Sequence, residues 1–293
     1  MIDAVLRVTS IYLDQNALIY LFEKASTDAL TKVRVSQAVD SIAVRFVLSP
    51  WHWVETARTR NLDKALPLAD FMDDLQPVWL RDRRDLQRNE VASSFFRFLD
   101  LAYPTPSPII YRRELLSAKH GRNITEELAP TSHQFVEGWI RRPALMNPIV
   151  DSYTKNADAL RRIRGARAKG HLTRDRKRAG DRKLIEGLLP DETPAGVLFD
   201  ASTKARFLDT VGVEDFPTLA IEAAIAEYSW ASTGRTDWNS LVDKFHLIPS
   251  LPYTDPVVTD DSYLHHLLPV AQKTSFVRAR LMRFSAFCKD YAL

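Results

Sequence analysis

Residues 8–14, VTSIYLD, run straight into QNALIYLFEK at 15–24. The first stretch is apolar, β-branched and too short for a helix, so it reads as a buried strand ending on the carboxylate of Asp14. In the second, Ala17, Leu18, Tyr20, Leu21 and Phe22 fall at helical spacing, so a helix follows the strand directly. The same grammar repeats after a helical pattern at 29–41. Residues 42–48, IAVRFVL, form a second apolar strand, and Ser49-Pro50 opens a helix as an N-cap followed by a proline at its first position. Strands that alternate with helices predict a parallel α/β sheet.

Outward from this opening the signals thin. Residues 217–231, PTLAIEAAIAEYSWA, read as a helix begun by proline, followed by the polar turn STGRTDWNS and a helix around Leu241–Ser250. Pro256-Val-Val-Thr reads as a short strand with Asp260-Asp261 at its C-terminal end, and two more helices close the chain. The stretch between, about 66–215, is mostly helical in pattern and broken by prolines; YPTPSP at 103–108 reads as a loop or extended link. No internal repeat is evident.

Composition narrows the function. With 293 residues, 45% hydrophobic and 26% charged, the chain can pack one large core or two small ones. It holds no run of 18 apolar residues, and MIDAVLRVTS lacks the pattern of a signal peptide, so a soluble, cytoplasmic protein with no membrane partner is expected. Cys288 is the single cysteine, which excludes an intrachain disulfide and a cysteine-built metal site. Neither GxGxxG nor GxxxxGK[ST] occurs, which argues against a glycine-rich phosphate cradle.

The formal net charge of +3 hides a regional imbalance. Residues 161–183, RRIRGARAKGHLTRDRKRAGDRK, hold 11 Lys and Arg against Asp175 and Asp181, which leaves the rest of the chain acidic. Such a block fits contact with a nucleic-acid backbone, and Arg174, Arg176, Lys177, Arg178, Arg182 and Lys183 are its candidate contacts. A solvated helical surface has the same composition, and no aromatic residue is interleaved to stack on bases.

The acids are placed more tellingly. Asp14 and Asp260-Asp261 stand at carboxyl ends of strands, where open α/β sheets form ligand crevices. Glu55 follows the second strand and Asp243 precedes the last, so distant acids are expected in one pocket. Three blocks here carry a resemblance. IYLDQNALIYLFE looks like the opening of a PIN-domain nuclease, with Asp14, one residue, and Asn16 at the junction of strand and helix. VLSPWHWVETART is similar to the PIN pattern of strand, Ser49 and a glutamate six positions on, Glu55. NSLVDKFHLIPSLPYTDPVVTDDSYL resembles the end of long bacterial PIN-like proteins, with Asp243 beginning a helix and Thr259-Asp260-Asp261 at the last strand.

The resemblance covers about 8–60 and 216–268. It implies an α/β fold with a PIN-like nuclease core at 1–65 and 216–293, a central parallel sheet flanked by helices, and a large, mostly helical insertion at 66–215. That insertion departs from the compact family members, as does Ser240, where related long sequences carry an acid. The resemblance further implies a metal-dependent endonuclease acting on RNA, in which carboxylate-bound Mg²⁺ or Mn²⁺ activates water. Asp14, Glu55, Asp243 and Asp261 would be the catalytic acids and, with Asp260, the metal ligands. Asn16, Ser49 and Thr259 would hold those carboxylates by hydrogen bonds. A homodimer fits the family pattern, and no segment for a protein inhibitor of the antitoxin kind can be identified.

Each residue also has a plainer role. Asp14 could cap the helix at Gln15, and Glu55 and Asp243 could be early-helix acids favoured by the helix dipole. Asp260 and Asp261 could be an N-cap pair, one capping and one facing the pocket. His246 reads as an ordinary helix residue, Glu90 as a surface acid, and Trp51 and Trp53 as core residues or base-stacking rings. Two other functions compete. One is a PIN-like module that binds RNA or a protein without cleaving. The other is a haloacid-dehalogenase-type phosphatase, which Asp14-Gln15-Asn16 disfavours because that chemistry uses an Asp-x-Asp pair.

Overall fold

The computed structural model describes residues 8–41, 43–120, 125, 129–145, 155, 162, 174–193, 196–231 and 238–293. Its strands are β1 (Thr9–Leu13), β2 (Val44–Leu48), β3 (Val78–Leu80), β4 (Ile109–Ile110), β5 (Val257–Val258) and β6 (Leu281–Met282). They form one sheet in the order β4-β3-β2-β1-β5-β6, parallel throughout except for the β3–β4 pair. The fold is therefore α/β, as the alternation of strand and helix predicts.

β1 occupies the middle because its last three residues, Ile11, Tyr12 and Leu13, have neighbours on every side and no exposed surface. Alternate residues of a strand point to opposite faces, and the two cores follow that period. Ile11, Leu13, Phe46, Leu48, Trp79 and Val258 face one layer of helices. This layer contains α1 (Gln15–Thr27), α2 (Ala29–Asp40), α3 (Pro50–Arg58), α4 (Leu62–Asp74), α6 (Arg112–His120), α7 (Ser132–Arg141) and α13 (Phe284–Asp290). Tyr12, Val47, Val78, Leu80 and Val257 face the other, formed by α5 (Arg83–Phe98), α10 (Pro217–Ala231), α11 (Trp238–Ser250) and α12 (Ser262–Ala271). A third cluster, around Phe95, Phe207 and Phe216, joins α5 and the start of α10 to α8 (Arg174–Glu186) and α9 (Ala201–Leu208).

Local chemistry explains the elements nearest the strand ends. α1 begins where Asp14 accepts a hydrogen bond from the Ala17 amide at 2.6 Å, and it buries Leu18 and Leu21 completely. Burying each leucine is worth about 1.5–3 kcal/mol. α3 begins at Ser49 with Pro50 in its first turn. It drives Trp53 into the core against Trp79 and Phe135, with the indole N–H donating to Ser132 at 2.9 Å.

The stretch 66–215 differs from the expected helical insertion in one respect. It supplies β3 and β4 to the sheet, and α4 and α7 pack against α3. Strands of two and three residues carry no readable period of their own. Val78 and Trp79 are strand because they pair with Val47 and Leu48. β6 escapes a sequence reading for the same reason, whereas 103–108 has no regular structure, as its prolines require.

From β1 the chain steps through β2 to β3 on one side, and later through β5 to β6 on the other. The switch point therefore lies beside β1, and the segments leaving β1, β2 and β5 open onto a single edge of the sheet, the usual place for a ligand crevice. Among the described residues no helix is long and apolar enough to cross a membrane.

Candidate active site

Asp14 leaves the end of β1 with only 5% of its surface exposed. Its carboxylate caps α1, and the buried Thr259 side chain just past β5 lies close enough to favour its charged form. The same Thr259 hydroxyl accepts from the Asp261 amide at 3.0 Å. One threonine thus ties the two central strand ends together. Asp261 caps α12, with its Oδ1 accepting from the Tyr263 amide at 2.6 Å and from the Leu264 amide at 3.3 Å.

Asp243, on α11, shares this edge. Burial raises its pKa to about 7, with added repulsion from Asp261, Glu55 and Asp14, while His246 opposes the rise. Asp14 is raised to about 6 by burial, with a further push from Glu55 and a counterweight in its hydrogen bonds and in His246. Asp14, Glu55, Asp243 and Asp261 therefore lie close enough for their charges to act on one another. Asp260 turns away. Its Oδ1 accepts from the Phe284 amide at 3.0 Å, at the start of α13. Of the two neighbouring acids, Asp261 both caps a helix and charges the pocket, and Asp260 serves the far helix.

The centre of the site is a residue to which the sequence assigns no chemistry. His246, 3% exposed, places Nε2 2.6 Å from Glu55 Oε2 and Nδ1 2.5 Å from the Tyr12 hydroxyl. Tyr12 lies 3.0 Å from Ser49 Oγ. His52 completes the buried chain: Nε2–H donates to the Leu13 carbonyl at 2.8 Å, and Nδ1 accepts from the Ser49 amide at 3.0 Å. Burial lowers the His52 pKa to about 3 and keeps the ring neutral, and burial also holds the Tyr12 hydroxyl protonated by raising its pKa. With Nε2–H donated to Glu55, His246 turns Nδ1 to the Tyr12 hydroxyl as a hydrogen-bond acceptor. Asp243 and His246 stand three apart on α11, on one helical face, which is the only local signal of the arrangement.

The supporting residues divide. Thr259 favours the charge of Asp14, whereas Ser49 supports the Tyr12–His246 pair rather than a carboxylate. Asn16 is exposed on α1. Gln15 bridges to Thr56 at 3.0 Å and leaves its buried Oε1 with no hydrogen-bond partner. Hard carboxylate oxygens, two acids driven towards neutrality and an unsatisfied buried oxygen suit a divalent cation in charge and donor type. Asp14 and Asp261 also serve helix N-termini, and Glu55 bonds to His246. Among the described residues no three His, Cys, Asp or Glu side chains form a metal-holding group.

On α8, Lys177 pairs with Glu227 and Arg182 with Asp209, at 2.8 and 2.6 Å, while Arg178 and Lys183 are exposed. The side chains of Arg174 and Arg176, and all of 163–173, lie outside the described residues. A cavity of about 800 Å³ between α8, α10 and the end of α12 is lined by Lys177 and Lys273 with Glu214 and Glu227, and includes none of Asp14, Glu55, Asp243 or Asp261. Glu90 is not a surface acid: burial raises its pKa, and it accepts from Tyr253 and Thr218. No family model, curated protein or solved structure matches the chain.

Proposed function

We propose that this protein is a metal-dependent endonuclease, PIN-like in kind, that hydrolyses phosphodiester bonds in RNA at the acidic edge of its sheet. The observation that carries the reading is the mutual repulsion of Asp14, Glu55, Asp243 and Asp261 in a largely buried pocket, with His246 the facing basic group. Such an excess of buried negative charge is costly unless a cation neutralises it.

Asp14, Asp243 and Asp261 would hold Mg²⁺ or Mn²⁺, with Glu55 contributing its free Oε1. A cation held by them would supply Lewis acidity, making a water nucleophile easier to deprotonate and stabilising charge on the departing oxygen. The chain's own residues do the rest. Thr259 fixes Asp14 relative to Asp261, and the Tyr12–His246 pair fixes Glu55. Buried Tyr12, Ser49 and His52 close the floor beneath the carboxylates.

In the test, purified protein is incubated with single-stranded RNA and Mn²⁺ or Mg²⁺. Cutting is expected, with its loss in EDTA and in Asp14→Asn or Asp243→Asn. An Asp14→Asn protein that cuts as fast as its parent would refute the site. The Glu55–His246 contact favours a second reading, a PIN-like module that binds RNA or protein without hydrolysis, because there an imidazole occupies one carboxylate oxygen. Binding without cutting under all metal conditions would establish it.

A further inference from the structure

Beside the apolar stripe that α5 buries through Val91, Ala92, Phe95 and Phe96, a second stripe runs along the same helix. Asn89, Glu90, Ser93, Ser94 and Arg97 are helical neighbours on one side, and every one is polar. The stripe does not face open solvent. All but Arg97 are half-buried, and together they line one side of a cavity of about 250 Å³. Phe216, Pro217 and Tyr253 wall it on another side, with Pro106 and Pro108 of the 103–108 link. None of Asp14, Glu55, Asp243 or Asp261 lines it.

The walls are fixed without a ligand. The 103–108 link has no regular structure, yet Tyr103 stacks on Phe96 with centroids 4.6 Å apart and planes 7° from parallel. Ser93 donates to the Thr105 hydroxyl at 3.0 Å, and Arg81 Nε donates to the Ser107 carbonyl at 2.8 Å. Prolines restrict the backbone between those ties. Across the cavity, Glu90 is held by the Thr218 amide and hydroxyl and by the Tyr253 hydroxyl. Walls set in advance lower the ordering cost of binding.

The polar groups of the stripe are unequally used. Glu90 Oε1 accepts from the Thr218 and Tyr253 hydroxyls, whereas Oε2 accepts only from the Thr218 amide, at 3.0 Å. Oε2 therefore keeps room for another donor. Among the described residues, Asn89 and Ser94 make no side-chain hydrogen bond and Arg97, exposed at the mouth, makes no ion pair. Burial makes the Glu90 carboxylate costly to charge, and a cation brought beside it offsets that cost. Glu90 and Arg97 are seven residues apart, close to two turns, and so stand on one side of α5 about 10 Å apart along its axis. A ligand that donates to the first and accepts from the second carries its two charges roughly 5–10 Å apart. A metal ion or a phosphate has charge of one sign only and satisfies one end.

We infer that this cavity binds a small zwitterion, with a primary amine at Glu90 joined by a short alkyl chain to a carboxylate at Arg97. The chain lies against Pro106, Pro217 and Phe216, and Asn89 and Ser94 supply further hydrogen bonds to the charged ends. The site stands apart from the acidic edge and does not depend on hydrolysis there.

In the test, the full-length protein in Mg²⁺ is titrated calorimetrically with 6-aminohexanoate, hexanoate, hexylamine and glycine. Saturable one-to-one binding of 6-aminohexanoate is expected, at least about tenfold tighter than that of the other three, which lack one charge or hold both too close together. Glu90→Gln keeps an acceptor for Thr218 and Tyr253 but loses the charge, and should weaken 6-aminohexanoate about tenfold or more. Arg97→Gln should do the same and erase the preference for 6-aminohexanoate over hexylamine. If Glu90→Gln does not fold, Arg97→Gln at the exposed mouth carries the comparison. A folded protein with no saturable binding of 6-aminohexanoate up to about 20 mM overturns the inference. So does hexylamine binding as tightly, or affinity that Arg97→Gln leaves unchanged.

Discussion

At Asp14 the plainer role and the chemical one coexist: the carboxylate caps α1 while burial and Glu55 hold its pKa near 6. Asparagine caps a helix about as well as aspartate but carries no charge. Asp14→Asn should therefore abolish cutting and still raise the stability of the metal-free protein at pH 8, by roughly 1–3 kcal/mol, seen as a higher melting temperature. A lower melting temperature would mean that the charge is not strained. Tyr12→Phe tests the buried chain in the opposite direction. It removes the hydroxyl between His246 and Ser49, and should cost about 1–3 kcal/mol in a urea melt because a buried polar partner is left unmet. Asp14 and Asp261 were legible as residues because each ends a strand and starts a helix. His246 was not. Its partners Glu55 and Tyr12 are 191 and 234 positions away, and nothing near residue 246 in sequence announces them.

The secondary-structure elements differ in how much of themselves they declare. α1, α3 and α10 show caps, prolines and apolar spacing, and they fold where those signals put them. β3, β4 and β6 declare nothing, since two or three residues cannot show a period. The basic run at 174–183 does fold as a helix, but its pairing alters what its charges can do. Lys177 and Arg182 are partly spent on Glu227 and Asp209. Neutralising Arg178 and Lys183 to glutamine should flatten the log-salt slope of RNA binding by about one to two, more than neutralising Lys177 and Arg182 does. Equal slopes in fluorescence-anisotropy titrations would return α8 to a solvated surface. Glu90 offers an elemental test at the opposite edge, where it joins α5 to the start of α10 and to Tyr253. Glu90→Ala strands those donors and should lower stability by about 1–3 kcal/mol in a urea melt.

For the whole molecule, the raised acids make stability depend on pH with a definite sign. Asp14 and Asp243 bind protons more tightly folded than unfolded, with pKa values of about 6 and 7 against an ordinary 3.8. The folded state thus holds extra protons between about pH 4 and 7, and the stability contributed by these two groups falls as pH rises through that window. Metal-free protein should melt higher at pH 5 than at pH 8, and the Asp14→Asn, Asp243→Asn double variant should show a smaller difference. Added Mn²⁺ should raise the melting temperature more at pH 8 than at pH 5, because only ionised carboxylates bind it well. A pH-independent response would separate these acids from any cation. By itself the sequence determined the class of the fold, the central strands and the acids at their ends, because period, capping and strand ends are local and survive in a string of letters. Only the tertiary structure decided which carboxylates face one another, that Asp260 leaves the group, that His246 enters it, and that 66–215 completes the sheet. Those outcomes depend on packing between residues far apart in the chain, where a contact is set by the shape of the whole core.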